Sequence, residues 1–174
     1  MASELHVDSI KHSGGTSAMT INSSGNVHIS GHVIQTQTST TFTQIATNST
    51  SYVTTGHSVS ITPKFSTSRL IFFNSSNCFF YSGSGGSYNT TNFHLQKAVS
   101  GGSTGYVNAN DWFYQVNAGE SNQNKNVSFT YTEIAGTTSA ITYTLFLKST
   151  GNDDTTWNES ALSSATFTVQ EVAV

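Results

Sequence analysis

The clearest structural signal lies in residues 128–149, which read SFTYTEIAGTTSAITYTLFLKS. In the second half of this stretch, large apolar side chains recur at every second position: Ile141, Tyr143, Leu145 and Leu147. In the first half, Phe129 and Tyr131 alternate with polar neighbours. A period of two in β-branched and aromatic residues is typical of a strand with one buried and one solvated face. The stretch therefore predicts two β-strands.

The same alternation occurs elsewhere in the chain. Val59 and Ile61 alternate with serine and threonine, and Phe167 and Val169 alternate with threonine and glutamine. Breaks rich in Gly, Ser, Thr and Asn separate the strand-like runs, at 82–92, 100–105, 117–126 and 149–156. No window keeps the apolar spacing of an amphipathic helix. The chain is therefore predicted to be all-β and to contain an antiparallel, jelly-roll-like β-sandwich.

Composition excludes several classes of function. The chain has a net charge of −3 and only six Lys plus Arg, too few cations for a nucleic-acid surface. Its longest apolar runs, LIFF and TLFL, are too short to span a membrane as a helix. The nine acidic residues show no pairing pattern, and no GxSxG motif is present. We expect a non-enzymatic protein without a cofactor, a nucleic-acid partner or a membrane-inserted segment.

Residues 1–35 differ from the rest and are predicted to form an arm. Their apolar side chains come in small groups separated by turns at 13–15 and 23–26. A hairpin this small is at best marginally stable alone, so we expect neighbours to complete it. Two or three copies of the chain around a shared axis would do so, as would docking onto another protein, and cyclic symmetry is the usual arrangement of homo-oligomers. Residues 36–41 are interpreted as a polar connector, and 36–174 as the head domain. The predicted interface residues are Leu5, Val7, Ile10, Met19, Ile21, Val27, Ile29 and Val33.

Two further runs place large side chains on both faces of a strand. They are LIFF at 70–73 and WFY at 112–114. The outer face of a two-sheet sandwich normally contacts water, so both runs predict a subunit interface or a covering loop. Trp112 and Tyr114 are assigned to the core or to an interface. The single cysteine, Cys78, is expected to be a buried, unreactive thiol.

The arm also carries a pattern of known type. The stretch VDSIKHSGGTSAMTINSSGNV at 7–27 resembles the short stalk module of fibre-like virion proteins from tailed bacteriophages, especially marine and cyanobacterial ones. In those proteins the module precedes a β-sandwich head. The stretches ITPKFSTSRLIFF at 61–73, the quoted 128–149 and ATFTVQEVAV at 165–174 are similar to strands of those heads.

The resemblance implies a homotrimer on the surface of a phage particle, on the tail or the capsid. Its partners would be other copies of the chain, other virion proteins and a glycan or protein of the host surface. Because the stalk begins almost at Met1, where fibres usually carry a segment for tail attachment, a capsid decoration or cement protein is the alternative. A carbohydrate-binding module is a further alternative.

Candidate binding residues are aromatic rings in or beside the polar loops. They are Tyr88, Tyr106 and Trp157, each of which either binds a receptor glycan or packs its loop onto the sandwich. His28 and His32 are about 13 Å apart on an extended strand, too far to chelate one metal ion within a chain. Histidines from three chains could still meet on a threefold axis. Otherwise the histidines are expected to contact solvent or form hydrogen bonds.

Overall fold

The computed structural model describes residues 6–80, 90–108, 114–117, 123–150, 154–158 and 164–174. These residues contain fourteen β-strands and no helix. The strands are β1 (Ser9–Lys11), β2 (Ser17–Ile21), β3 (Val27–His28), β4 (Val33–Thr41), β5 (Ile45–Thr47), β6 (Val53–Ile61), β7 (Arg69–Phe80), β8 (Thr90–Val99), β9 (Thr104–Tyr106), β10 (Tyr114–Asn117), β11 (Gln123–Ile134), β12 (Ile141–Ser149), β13 (Thr155–Trp157) and β14 (Ala165–Val172). The all-β prediction is confirmed. Within the described residues, no helix is long and apolar enough to cross a membrane.

Strands β4 to β14 form two antiparallel sheets. In sheet I the order is β10, β8, β12, β6, and β9 also pairs with β8. In sheet II, the long strand β7 pairs with β11 along one side. Along its other side it pairs first with β14 and then with β13. β4 pairs with β14, and β5 pairs with β13. The orders β4–β14–β7–β11 and β6–β12–β8–β10 are those of a jelly roll. The predicted antiparallel sandwich is therefore confirmed.

The hydrophobic core lies between the two sheets. The alternating residues of β12 that predicted a strand, Ile141, Tyr143, Leu145 and Leu147, are all buried. Phe72 of sheet II meets Tyr143 of sheet I with ring centroids 5.7 Å apart. Each large apolar side chain buried in this way stabilises the fold by about 1.5–3 kcal/mol. The two sheets therefore pack face to face through the side chains whose spacing predicted the strands.

The predicted polar connector is a strand of the head. Residues 36–41 belong to β4, which pairs with β14 from Val33 to Thr41. The connector prediction is therefore wrong, and the boundary after residue 35 falls inside β4; we keep the word arm for the residues before Val33. The segment can pair without an apolar stripe because β4 and β14 are joined by backbone hydrogen bonds, and polar side chains lie opposite each other across the pair. The hydroxyl groups of Thr38 and Thr168, for example, lie 3.1 Å apart across this pair.

The arm contains its own three-stranded sheet, in the order β1, β2, β3. Ile10 lies opposite Met19, and Ile21 lies opposite Val27. Directly opposed residues share a face of a sheet, as do residues two apart on one strand, so these four side chains lie on one face. The other face carries Ser9, Thr20 and His28. The arm sheet is therefore apolar on one face and polar on the other.

The arm joins the head beside the end of β14. Gly31 N donates a hydrogen bond to Ala173 O at 2.8 Å, and Ala173 N donates one to His32 O at 2.9 Å. The His28 ring meets the edge of the Phe65 ring, with centroids 5.1 Å apart. These contacts attach the last residues of the arm to the head.

The LIFF run divides between the two faces of β7, as predicted. Leu70 and Phe72 are buried in the core, whereas Ile71 is half-buried and Phe73 is 39% exposed on the outer face. An interface or loop that covers this outer face stays a prediction. Cys78 is fully buried, as predicted. Trp112 and the side chain of Tyr114 lie outside the described residues.

Candidate functional site

The outer face of sheet I carries a group of aromatic side chains. Side chains of β12 alternate between the core and the outside, so Phe146 points outward. Phe146 lies opposite His94 of β8. On the other side of β8, β9 brings Tyr106 opposite Gln96. The register of three strands thus collects Phe146, His94 and Tyr106 on one outer surface.

These three rings and Tyr52 form what we name the outer aromatic patch. The rings of Tyr106 and His94 are almost parallel, with centroids 3.8 Å apart and an angle of 7°. Tyr52 lies 5.0 Å from His94, and Phe146 meets Tyr106 at 5.9 Å and 85°. Lys148 Nζ lies 4.7 Å from the centroid of the Tyr52 ring, a cation–π distance. The patch is therefore a contiguous aromatic surface with one cation at its side.

His94 is the buried support of this patch. It is 4% exposed, whereas Tyr106 is 40% exposed. His94 Nε2 lies 3.3 Å from Asn108 Oδ1, so the ring nitrogen donates this hydrogen bond. His94 Nδ1 is buried and has no hydrogen-bond partner among the described residues. The hydrogen bond and the stacking together hold Tyr106 in one orientation, with one ring face covered.

Of the three residues predicted to bind a receptor, Tyr106 lies in the patch. Trp157 is fully buried, so the prediction that its ring is available to a ligand is wrong. The residue lies in β13 rather than on a loop tip, because β13 pairs with β5 and β7 in sheet II. The centroids of the Trp157 and His57 rings are 5.6 Å apart. This contact agrees with the alternative prediction, that the Trp157 ring packs onto the sandwich. Tyr88 lies outside the described residues.

The other members of the patch are not among the residues that the sequence pattern predicts to bind a ligand. Phe146 could have been found from the sequence, because it is a large apolar residue at a position of β12 whose side chain points away from the core. No sequence pattern indicates His94, because its burial depends on the Tyr106 ring that stacks on it. Tyr52 precedes β6, and only the pairing of β6 with β12 places it near Lys148.

A second polar cluster joins the two sheets around Glu133. Lys97 Nζ lies 2.8 Å from Glu133 Oε1, the oxygen that also accepts a hydrogen bond from the Tyr143 hydroxyl. The Tyr131 hydroxyl donates to Glu133 Oε2 at 3.4 Å. Lys97 and Tyr143 belong to sheet I, whereas Glu133 and Tyr131 belong to sheet II. The cluster is therefore a polar connection across the sandwich.

Burial and the Glu133 carboxylate disfavour ionisation of both tyrosines. Burial, then the charge of Glu133 and the hydrogen bond to it, raises the pKa of Tyr131 to about 12. The pKa of Tyr143 is also raised, first by burial and then by its hydrogen bond to Glu133. Both groups are neutral hydrogen-bond donors at physiological pH, which suits a structural role.

The predicted interface residues of the arm remain partly exposed in the single chain. Ile10 is 48% exposed, Val27 43% and Val33 52%. The half-buried ones are Val7, Met19, Ile21 and Ile29, and Leu5 lies outside the described residues. No described residue before Thr55 is fully buried. The contacts of these residues with other chains stay a prediction.

Two histidines of the arm have side-chain partners within the chain. His12 Nδ1 accepts a hydrogen bond from Gly14 N at 3.1 Å, and His28 Nε2 lies 3.1 Å from Val174 O. In the part of the chain that the structure describes, no group of three or more His, Cys, Asp or Glu side chains is placed to hold a metal ion. A metal site shared by three chains on a symmetry axis stays a prediction.

Comparison with solved structures finds several similar chains. No protein-family model matches the chain, and no curated protein matches it in sequence. The structure is similar to the CBM22-1 xylan-binding domain of Xyn10C from Paenibacillus barcinonensis, over 83% of this chain and 97% of that domain. The sequence identity is 11% and the TM-score is 0.33. A likeness at this level supports no statement about the ligand of this chain.

Proposed function

We propose that this chain is a non-enzymatic structural protein on the particle of a tailed bacteriophage. Its arm assembles with two other copies of the chain, and its head faces outward and contacts the host surface. The resemblance of residues 7–27 to a virion stalk module supports this proposal. The observation that carries it is the apolar face of the arm sheet, formed by Ile10, Met19, Ile21 and Val27.

Within the described residues, this apolar face is only partly covered by its own chain. Ile10 on β1 and Val27 on β3 are each more than two-fifths exposed. A cleft of about 320 Å³ lies where the arm meets the head, beside Val27, Ile29 and Val33. A three-stranded sheet needs a packed hydrophobic face to be stable in water, and burial contributes about 25 cal/mol per Å². Cover from outside the chain therefore stabilises the arm.

Other copies of the same chain are the partner that the charge of the arm favours. Asp8 and Lys11 are the charged side chains between residues 6 and 34, so this segment carries no excess of one sign. A nearly neutral, apolar face neither repels its own copies nor attracts an oppositely charged partner. Three such faces around one axis cover each other in a closed assembly.

Analytical ultracentrifugation of the full chain tests this assembly. We expect a trimer at micromolar concentration, and we expect the double variant Ile10→Ser, Val27→Ser to sediment as a monomer with a folded head. Ile134→Ser is the matched control, because Ile134 is 49% exposed on the head. A wild-type chain that sediments as a monomer contradicts the proposal.

Antibody labelling of intact phage particles tests the location. Label at the tail supports a fibre. Label spread over the capsid shell supports the alternative role, a capsid decoration protein. In that role the same arm attaches the protein to the shell. Particles without label contradict both virion roles.

A carbohydrate-binding module is the second candidate, and the outer aromatic patch favours it. Jelly-roll domains include lectins, and exposed aromatic rings on a rigid sheet suit sugar binding. This candidate needs no assembly of the arm. A monomeric chain that binds sugar would therefore support the second candidate over the first.

A further inference from the structure

We propose that the outer aromatic patch binds a pyranose sugar of a surface polysaccharide, and that the exposed side of the Tyr106 ring is the stacking platform. The inference rests on the proposed function only in its assumption that the head faces a cell surface. It assigns a ligand class and a set of residues to that contact.

The Tyr106 ring is fixed before any ligand arrives. Its inner face lies parallel to His94 at 3.8 Å, and the edge contact with Phe146 limits its rotation. His94 is held in turn by the hydrogen bond to Asn108. β9 carries Tyr106 and is paired with β8, so the ring stands on a strand instead of a free loop. A ring held in this way loses little conformational freedom on binding.

Polar side chains adjoin the ring in the same sheet face. Gln96 lies opposite Tyr106 of β9 on one side and opposite Thr144 of β12 on the other. Tyr106, the Gln96 amide and the Thr144 hydroxyl therefore form a row across sheet I. Both are half-buried and lie on the outer face. Lys148 places an ammonium group beside Tyr52. An aromatic ring next to hydroxyl, amide and ammonium groups matches a sugar, which has an apolar C–H face and a rim of hydroxyls.

The chemistry favours a sugar over a protein partner. The centres of protein interfaces are packed with aliphatic and aromatic groups that exclude water. Here the exposed ring is bordered by the polar row of Gln96 and Thr144. The C–H bonds of a pyranose carry partial positive charge and lie favourably on the negative face of an aromatic ring. A single stacking platform with polar neighbours thus suits one pyranose unit of a longer chain.

The outer face of sheet II supplies a matched control. Phe73 is 39% exposed there, nearly the same as the 40% of Tyr106. Phe73 lies on β7, which pairs with β11 and β14 in sheet II, whereas Tyr106 lies in sheet I. Loss of one exposed aromatic ring can therefore be compared between the two sheets.

A glycan array probed with the full-length chain tests the proposal. We expect binding to at least one pyranose glycan, followed by titration of that soluble oligosaccharide by calorimetry. Tyr106→Ala should weaken the affinity at least about tenfold, which is about 1.4 kcal/mol. Tyr106→Phe keeps the ring and should bind within about threefold of wild type. Phe73→Ala should bind as wild type does. Thermal unfolding of each variant checks that the head is folded.

The proposal is overturned if the wild-type chain retains no pyranose glycan. It is also overturned if Tyr106→Ala binds the glycan as tightly as wild type does, or if Tyr106→Ala and Phe73→Ala lose the same amount of affinity. Capture of a host protein that depends on Tyr106 while no glycan binds would also overturn it, in favour of a protein partner. Ultracentrifugation keeps this test separate from the proposed assembly. A trimer without glycan affinity rejects only the sugar site, and a monomer with Tyr106-dependent affinity rejects only the trimer.

Discussion

The imidazole of His57 stacks on the ring of Phe167 across the sandwich, with ring centroids 3.8 Å apart and an angle of 22°. His57 belongs to β6 in sheet I, and Phe167 belongs to β14 in sheet II. His57 Nε2 donates a hydrogen bond to Ser39 O at 3.2 Å, and Nδ1 has no partner among the described residues. A titratable ring therefore packs in the core against an aromatic ring.

This placement predicts that the protein loses stability in mild acid. Burial lowers the pKa of His57 below its ordinary value of 6.5, and the hydrogen bond to Ser39 offsets only part of this effect. The unfolded chain then binds a proton that the folded chain excludes. The free energy of unfolding is thus fully retained above pH 6.5 and falls below it, with a limiting slope of about 1.4 kcal/mol per pH unit.

Urea unfolding of wild type and His57→Phe, on both sides of pH 6.5, measures this effect. The variant keeps an aromatic ring against Phe167, so its free energy of unfolding should vary less with pH. His12→Gln is the control, because His12 is exposed on the arm and its loss should leave the wild-type pH dependence intact. Parallel pH profiles for wild type and His57→Phe would contradict the assignment.

The Glu133 cluster predicts a second loss of stability, in alkali. The pKa of Tyr131 is about 12 in the folded chain, against an ordinary value of 10.0. The unfolded chain releases the phenolic proton first, so stability is present below pH 10.0 and declines as the pH rises toward 12. Ultraviolet absorbance should show Tyr131 ionising near pH 12, and Tyr131→Phe should remove that step.

Glu133→Gln tests the cause of that shift. The variant removes the negative charge and weakens the hydrogen bond, so the pKa of Tyr131 should fall. It should stay above 10.0, because burial is the largest cause and remains in place. An unchanged titration in Glu133→Gln would mean that the carboxylate does not act on Tyr131.

Glu171 predicts a large and local effect of a single substitution. Its carboxylate is fully buried and accepts hydrogen bonds from the backbone N–H groups of Lys64, at 2.8 Å, and Phe65, at 3.0 Å, and from Gln35 Nε2, at 2.6 Å. Glu171→Ala leaves the part-buried N–H groups of Lys64 and Phe65 without this acceptor, whereas Gln35 Nε2 still donates to Thr62 O. The loss should cost about 2–4 kcal/mol in urea unfolding.

Trypsin gives a local measurement of the same change. The bond after Lys64 lies in the segment that Glu171 holds, so Glu171→Ala should be cut there faster than wild type. Asp8→Ala, a change at an exposed acid of the arm, should alter neither the cleavage rate nor the free energy of unfolding by more than about 0.5 kcal/mol. Equal cleavage of Glu171→Ala and wild type would show that the carboxylate does not hold this segment.

Cys78 should report unfolding directly. The thiol is fully buried, and burial raises its pKa well above its usual range. An aromatic disulfide reagent should therefore leave the folded chain unmodified and react stoichiometrically in denaturant. Rapid labelling in buffer, at the rate of a free thiol, would contradict the buried position.

Local periodicity predicted most of the core but little of the outer aromatic patch. Ile141, Leu145 and Leu147 are buried because a strand buries every second residue, and this rule needs only the sequence. Strand order depends instead on contacts between distant segments. β4 pairs with β14 across more than a hundred residues of chain, and its polar sequence carries no sign of that partner. The polar stretch 36–41 was therefore misread as a connector.

The candidate binding residues show the same limit. Tyr106 could be selected as an aromatic residue near polar loops, but Trp157 met the same criterion and is buried. What separates them is pairing, because β9 lies on the outer side of β8 whereas β13 is enclosed between β5 and β7. The stacking of His94 beneath Tyr106 likewise depends on the register of two strands and follows from no local pattern.

The junction between arm and head also determines how the molecule responds to mechanical load. The arm enters β4 at Val33, whose partner in β14 is Val172, and the pairing runs on to Thr41 and Ala165. Interstrand hydrogen bonds lie perpendicular to the strands, so tension along β4 shears all of them at once instead of unzipping them one by one. In the proposed attachment of sheet I to a surface, a pull on the arm is therefore opposed by the combined strength of that strand pair.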